Sequence, residues 1–472
     1  MAFTYDLVIV GLGSGGIVAA EFASTLGLRV AAVERARPGG DCLWTGCVPS
    51  KTLIASARVA HHMRTADRFG IAAVEPRVDT AAVWGRIHAV QEAIAATDDS
   101  PARITGLGVE LVAGEARVTG PHTVEAGGRV LDTRHILLVT GSRPAVPEVE
   151  GLQEAGFLTS ETVFALDRAP ESVVVIGGGP AGTEMAQALR RLGIPVTVLE
   201  RGPRILPRDE PGLVDILARV LRHEGVEVVC GAEVRSVDVD DGHRVVHATV
   251  GGEPRSWAAG AILVAAGRRP DLEGLGLEAV GVAVGPRGVT VDGGMRTTVP
   301  SIHCAGDLAA RELFTHAAAY QSVRAIRDMF FPGRAGRSAP IPWCTFTDPE
   351  LAHVGMTVGE ARAAYGDGRV AVHRHDLAGS DRARCDGATD GAIVIVTARG
   401  RVVGAHILAP AAGEMIAELT LAVSRRLRLT ELASVVHVYP TLSTGIAQLA
   451  AGAAYARARR LRRLLRPGRR GL

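Results

Sequence analysis

One pattern is written twice in this chain, and it narrows the fold more than any other feature. Residues 5–35 read "YDLVIVGLGSGGIVAAEFASTLGLRVAAVER", and residues 172–201 read "SVVVIGGGPAGTEMAQALRRLGIPVTVLER". Each copy runs from an apolar strand through a glycine turn and an amphipathic helix to a second strand with a terminal acid. Gly11, Gly13 and Gly16 align with Gly177, Gly179 and Gly182, and Glu34 with Glu200, all at an offset of 166 residues. In such a βαβ unit the first glycine permits a tight turn, the second lets backbone approach a pyrophosphate, and the third lets helix pack on strand. Free N–H groups at the helix start hold phosphates, and the acid accepts hydrogen bonds from a ribose diol. A lone G-x-G-x-x-G is weak evidence. Two copies in register with strand, helix and acid mark a duplicated dinucleotide-binding unit, for which a flavin and a nicotinamide are the natural pair.

The rest of the 472 residues is too long for one core, so several domains are expected. "ILLVTGSRPAVPEVEG" (136–151) and "AILVAAGRRPDLEG" (261–274) are apolar strands ending in Gly-x-Arg-Pro turns, and read as matched exits from the two units. "TTVPSIHCAGDLA" (297–309) is a further buried strand ending in Gly-Asp. From residue 341 onward strands alternate, as in "GAIVIVTARGRVVGAHIL", and helices follow. That predicts an antiparallel sheet with helices on one side, a separate α+β domain reached through the linker "FPGRAGRSAP" (331–340).

Charge and hydropathy exclude some classes. Net charge is +2, but residues 457–472 hold eight arginines and no acid, leaving −6 for the remainder. An acidic body argues against a general nucleic-acid binder. No apolar run reaches the ~18 residues of a membrane helix. The start "LVIVGLGSGGIVAA" lacks a basic flank, and its glycines already have a use. A cytoplasmic protein is expected, with the arginine-rich tail solvated rather than bound to acidic lipid or a partner.

Cysteine usage is sparse and uneven. Six cysteines are no secreted disulfide framework, yet two of them share "GGDCLWTGCVPSK" (39–51). Cys42 and Cys47 stand where a glycine turn leads into "GCVPSKTLIASARVAHHM", a predicted helix whose dipole and free N–H groups favour a thiolate. A metal would need more ligands, and the nearest histidines, His61 and His62, lie turns further down the helix. A structural disulfide this short constrains little chain entropy. A redox-active pair is the remaining reading. Cys230, Cys304, Cys344 and Cys385 are scattered, and read as small core or surface residues. Lys51, which closes the motif, is the only lysine among 52 basic residues. In so arginine-biased a chain it points to a task that needs a compact ammonium.

With these residues in hand, "GGDCLWTGCVPSK" resembles the redox segment of the FAD-dependent pyridine nucleotide–disulfide oxidoreductases, the family of dihydrolipoamide dehydrogenase, glutathione reductase and mercuric reductase. The resemblance covers nearly the whole chain: both βαβ units, "TGSRP", "AAGRRP", "CAGD", "TFTDPELAHVG" and "YPTLS". It implies an α/β fold of two Rossmann-like dinucleotide-binding domains plus a C-terminal α+β dimerisation domain. The expected spans are 1–150 and 289–335 for FAD, 151–288 for NAD(P) and 341–472 for the interface of a homodimer. It also implies roles. Cys47 would lie against the flavin as the charge-transfer thiolate, and Cys42 would be the interchange thiol that meets the substrate. Lys51 would sit near flavin N5, paired with Glu184, where a cation stabilises electron-rich flavin. The alternative for Glu184 is an exposed helix acid. Glu34 would hold the adenosine ribose and Asp307 the ribityl chain. Gly40, Asp41, Thr140, Gly141, Ser142, Gly267 and Gly306 would contribute to cofactor binding. His316 falls in a flavin-lining segment, for packing or a flavin-edge hydrogen bond.

Three positions bear on specificity. The carboxylate of Glu200 favours NADH over NADPH by repelling a 2′-phosphate, while Arg201 and Arg204 soften the preference. Position 180 is proline where many relatives carry a tyrosine over the nicotinamide site, so the flavin is expected to be less gated. In "HVYPTLSTG", Tyr439 and Thr444 occupy the places of the family's acid–base His and its Glu. A phenol with a reference pKa near ~10 is a poor base. His437 would share a strand face with Tyr439 if the segment were extended, and reads rather as a satisfied core histidine. The tail carries no cysteine pair to hand over a metal, which argues against mercury as acceptor. The expectation is a flavoenzyme passing electrons from NADH through FAD and Cys42–Cys47 to a disulfide or other thiol-reactive small molecule. Direct flavin reduction of a quinone or metal ion, and a dihydrolipoamide dehydrogenase component, are the alternatives.

Overall fold

The structure, a computed structural model, describes residues 3–309, 312–333 and 338–465. The first unit opens with β1 (Tyr5–Val10), α1 (Ser14–Thr25) and β2 (Val30–Glu34). Next come α2 (Gly40–Trp44), α3 (Cys47–Arg64) and α4 (Thr80–Ala95), then β3 (Glu110–Ala113), β4 (Ala116–Gly120), β5 (Thr123–Ala126) and β6 (Arg129–Leu138). Its sheet runs β3-β2-β1-β6-β5-β4, with β1 parallel to both neighbours. Leu7 to Val10 are all buried because both faces of a parallel sheet are covered, which is why the run is continuously apolar. Helix α1 departs from the amphipathic expectation. It is buried on the sheet side, and a Cβ at Gly15 would stand 3.3 Å from Ala318 Cβ of a second helix on its other side.

From β7 (Ser142–Pro144) the chain enters the second unit: β8 (Val173–Ile176), α5 (Pro180–Arg191), β9 (Val196–Glu200) and β10 (Glu227–Cys230). A three-stranded antiparallel sheet follows, β11 (Ala232–Asp240), β12 (His243–Val250) and β13 (Glu253–Ala259), before β14 (Ala261–Val264) completes the order β10-β9-β8-β14. The two Gly-x-Arg-Pro exits then meet. β15 (Arg268–Pro270) pairs antiparallel with β7, so the units are joined by a two-stranded ribbon. Leu275, Leu277 and Val282 already pack in the first unit's core, so the chain is back in that unit before residue 288. β16 (Ile302–Cys304) adds to β6, and α6 (Thr315–Phe330) packs on α1.

The C-terminal domain is a five-stranded antiparallel sheet of β17 (Trp343–Thr345), β18 (Glu350–Gly355), β19 (Val370–Asp376), β20 (Ala392–Ala398) and β21 (Arg401–Ala409), in the order β17-β18-β21-β20-β19. Helix α7 (Val358–Tyr365) lies between β18 and β19 in the chain, and α8 (Ala412–Ser424) and α9 (Thr444–Leu465) follow the sheet. The expectation of helices on one side is corrected here. Ile393 and Ile395 of β20 face the core of α8 and α9, while Val394 and Val396 join Ala361 of α7 in the second unit's core. Alternate residues of a strand point to opposite faces, and both faces of β20 are dry. The arginines beyond residue 465 lie outside the described residues.

Arg191 sits at the junction of the three parts. Its side chain, 6% exposed, meets Glu224 at 2.7 Å and Asp348 at 2.8 Å. Gln187 bonds Glu224 and the backbone of Asp348, and Arg64 of α3 donates to the carbonyl of Arg191.

Candidate functional site

The two glycine turns have the same internal geometry. Gly11 (φ +100°) and Gly177 (φ +113°) turn in the left-handed region, where a Cβ would stand 2.7 Å from Val139 O and 2.5 Å from Ala265 O. A Cβ at Gly16 would stand 1.9 Å from Gly11 O, and one at Gly182 would stand 2.1 Å from Gly177 O, so only glycine lets each helix start against its turn. A Cβ at Gly179 would meet nothing within 4 Å, while one at Gly13 would meet only Gly40 Cα at 3.8 Å. Each acid is pinned by backbone donors. Glu34 accepts from Leu12 N (2.8 Å) and Ala36 N (2.9 Å), and Glu200 from Gly178 N (2.7 Å) and Gly202 N (2.6 Å).

Between the cradles lies the cysteine turn. Cys47 is the first residue of α3, as the helix reading requires, but Cys42 occupies the separate single turn α2. That turn begins from Gly39 in the left-handed region at φ +96°. The hydrogen bond from Cys42 holds the Cys47 thiol down at about 6, against the opposing effect of burial, helped by Thr315 and the Lys51 cation. Thr315 Oγ1 lies 3.3 Å from Cys47 Sγ. The same hydrogen bond between the two side chains, with burial, pushes the Cys42 thiol up. One thiolate and one thiol are therefore present near neutral pH, with the charge on the sulfur at the helix N-terminus.

One turn further along α3, Lys51 Nζ reaches Glu184 Oε2 at 2.9 Å. The Glu184 side chain is 7% exposed and also accepts from Phe346 N at 2.8 Å, so it is no surface acid. The ammonium sits 4.4 Å from the Phe346 ring centroid. This small cation is braced on one side by a buried carboxylate and on the other by an aromatic face.

Polar residues from the ribbon close the wall. Ser142 Oγ donates to Asp307 at 2.6 Å, and burial pushes the Asp307 carboxyl up. Thr140 Oγ1 bonds Asp271 O, Asp271 N bonds Gly141 O, and Gly306 N bonds Gln321. Gly40 and Gly267 turn at positive φ. His316 is exposed at the rim, stacks on Phe314 and lies 2.7 Å from Pro342 O. Sequence reasoning missed Arg268, which bonds Ser142 and lies 3.0 Å from Asp41. It also missed Cys344 and Trp343, which line the same space. Trp343 Nε1 donates to Asp209, whose carboxyl burial raises to about 6.

One cavity of about 1400 Å³ connects all of this, from Glu34 past Cys42, Cys47 and Lys51 to Gly179 and Glu200. It exceeds the ~300–1,000 Å³ of a drug-sized ligand site and suits two extended cofactors. A glycine cradle that a Cβ would fill, a ribose acid and the buried Asp307 fit FAD in the first unit. The open space at Gly179 beside Glu200 fits a nicotinamide dinucleotide in the second.

The C-terminal strip separates its two candidates. The 433–443 segment is loop rather than strand, so the shared strand face for His437 and Tyr439 does not form. The His437 side chain is 7% exposed, with Nε2 3.0 Å from Glu418 and Nδ1 3.1 Å from Val435 O. Tyr439 is 68% exposed and donates to Asp381 at 3.0 Å, which holds its phenol above the usual range. Thr444 caps the same loop through Thr441. No cluster of three metal-ligating side chains and no helix long and apolar enough to cross a membrane occurs among the described residues.

Comparison with known proteins agrees with this geometry. The family model described as pyridine nucleotide-disulphide oxidoreductase matches residues 5–322, and its dimerisation domain matches residues 341–450. The chain is 35% identical to a dihydrolipoyl dehydrogenase of Thermus scotoductus, over 95% of this chain and 97% of the relative. It is also 35% identical to a mercuric reductase of Streptomyces lividans, over 94% of each. Among solved structures it superposes with TM-score 0.83 on the Cu(II) complex of the HOCl-induced flavoprotein disulfide reductase RclA from Escherichia coli, at 25% identity over 96% of this chain and 99% of that one. The chain belongs to the FAD-dependent pyridine nucleotide-disulphide oxidoreductases, and is an enzyme.

Proposed function

We propose that the protein is an NADH-dependent disulfide oxidoreductase, acting as a homodimer, whose Cys42–Cys47 pair delivers electrons to a disulfide or other thiol-reactive small molecule. The observation that carries this reading is the placement of Cys47. It is a low-pKa thiol at a helix N-terminus, one turn from the Lys51–Glu184 pair, in the cavity that joins both cradles. FAD bound by the first cradle supplies the two-electron chemistry that reopens the disulfide with electrons from the nicotinamide. The protein's residues do the rest. Lys51, braced by Glu184, keeps positive charge on the cavity floor and Cys47 ionised. Cys42 loses its proton to solvent and attacks the acceptor disulfide, breaking its S–S bond and releasing one thiolate. The Cys47 thiolate then attacks the Cys42 sulfur of the mixed disulfide, displaces the second thiolate and leaves the Cys42–Cys47 disulfide.

Glu200, fixed at its strand end by two backbone N–H groups, supports NADH by opposing a 2′-phosphate. The exposed apolar strip of Val435, Val436 and Val438 supports a homodimer. The Tyr439 phenol is held up and both His437 nitrogens are engaged, so this strip offers no ready base. That favours acceptors whose departing thiol is acidic and leaves without taking a proton. Replacing Cys42 with Ser tests the reading on the purified flavoprotein. NADH-driven reduction of an aromatic disulfide is expected to fall by about three orders of magnitude. Turnover with a quinone is expected to persist. Disulfide turnover that survives the substitution overturns the thiol route.

A further inference from the structure

Helix α4 presents three side-chain hydrogen-bonding groups on one stripe. Trp84, His88 and Gln91 follow at four- and three-residue spacing, which stacks them on one face. Trp84 Nε1 donates to Val163 O at 3.0 Å, and His88 Nε2 lies 2.8 Å from Phe164 O. Gln91 Nε2 donates to Leu43 O at 3.0 Å and to Trp44 O at 2.8 Å. The first two acceptors belong to the second unit's cavity wall. The last two end α2, between the two cysteines.

Gln91 is buried, so these carbonyls have little water to turn to if the amide is lost. They need a partner, because α2 is a single turn whose last carbonyls have no donor further along the helix. The other arm of the cysteine turn is also tied to α4. Arg86 Nη1 donates to Thr52 O of α3 at 3.1 Å, and Leu53 and Ile87 share a core. Helix α4 thus lies across the redox turn like a splint, with Gln91 on the Cys42 arm and Arg86 on the Cys47 arm.

We propose that Gln91 is a positioning residue for the Cys42–Cys47 pair, fixing the Leu43 and Trp44 carbonyls so that Cys42 stays where the S–S bond can close. The inference rests on the reading of that pair as the redox centre. A disulfide tolerates only a narrow range of Cα separation and dihedral angle, and these two cysteines lie on different helices. Freeing α2 from α4 spreads the sulfur separations of the dithiol and so disfavours ring closure.

The test equilibrates the holoenzyme with mixtures of reduced and oxidised dithiothreitol, then reads the Cys42–Cys47 disulfide by alkylation and peptide mass. In that exchange the two protein thiols lose two electrons and two protons, which open the S–S bond of one oxidised dithiothreitol. Gln91→Met keeps the bulk and removes both donors. It is expected to lower the equilibrium constant for disulfide formation about tenfold, a potential about 30 mV less negative. Gln91→Glu is expected to lower it at least as far, and serves if the Met variant does not fold. Ile87→Val, which only trims packing on the same helix, is expected to lower the thermal midpoint and leave the constant unchanged. A Gln91 variant that loses thermal stability but keeps the constant within about twofold overturns the proposal. If the wild type forms no Cys42–Cys47 disulfide at all, the functional reading falls first and takes the proposal with it.

Discussion

Gly16 and Gly182 do the same work in the two βαβ copies, whereas Gly13 and Gly179 have different surroundings. At the third glycine each helix start touches the turn before it, with no room for a methyl group. At the second glycine the copies part. Gly13 bridges to Gly39, and a Cβ on Gly40 would stand 2.8 Å from Gly13 Cα, so the first cradle is roofed by the chain that leads into the cysteines. Gly179 opens on empty space. The cradle itself is a common part. On the function proposed above, what would distinguish a site for a resident cofactor from a site for an exchanging one is the path the chain takes after the acid.

The largest expected effect tests whether the cradles are separable. Gly16→Ala is expected to yield protein that purifies without yellow flavin. Gly182→Ala is expected to keep the flavin absorbance and lose NADH turnover by about a hundredfold or more, since a ~1 Å misplacement near a reacting group has that scale. Loss of flavin from both variants would break the comparison. A smaller effect separates the acids. Glu200→Gln removes the charge opposing a 2′-phosphate, and is expected to narrow the NADH over NADPH ratio of kcat/KM about tenfold, or ~1.4 kcal/mol. Glu34→Gln is expected to leave that ratio alone. The smallest effect belongs to the segment that only the first copy carries. The Cys47 thiol is held at about 6, so it is ionised above that pH and regains its proton below it. Alkylation of Cys47 in the reduced enzyme, read by peptide mass, is expected at pH 6 to run at about half its pH 8 rate. A midpoint in the ordinary thiol range would show that Cys42, Thr315 and Lys51 do not tune this sulfur.

The duplication was legible because its signals are local. Glycine spacing, strand, helix and acid all lie within thirty residues, and both copies form the expected strand, turn, helix and strand, with only the helix of the second clearly amphipathic. A reactive thiol at this helix start was legible for the same reason, since a helix start is a local feature, while the choice of Cys47 over Cys42 came through the family resemblance. The pairing of Lys51 with Glu184, 133 residues away, came only through the family resemblance. Gln91, Arg268 and the Arg191 junction were invisible, because each acts on residues distant in sequence and carries no local pattern. The sheet of the C-terminal domain was misread on one side for a related reason. Strand β20 faces two different cores, and alternation tells which residues share a face but not what covers it. His437 and Tyr439 parted because a loop replaces the extended segment on which their shared face depended.

The junction at Arg191 has a consequence for how the enzyme moves. Swinging the second unit away from the other two would break the Arg191–Asp348 pair, the Gln187 bonds to the Asp348 backbone and the Arg64 bond to the Arg191 carbonyl, leaving Arg191 only Glu224 of its own unit. Clamshell opening is therefore an expensive way to trade one nicotinamide for the next. On the function proposed above, a dinucleotide is expected to enter and leave through the open space beside Pro180 and Gly179 while the frame stands still.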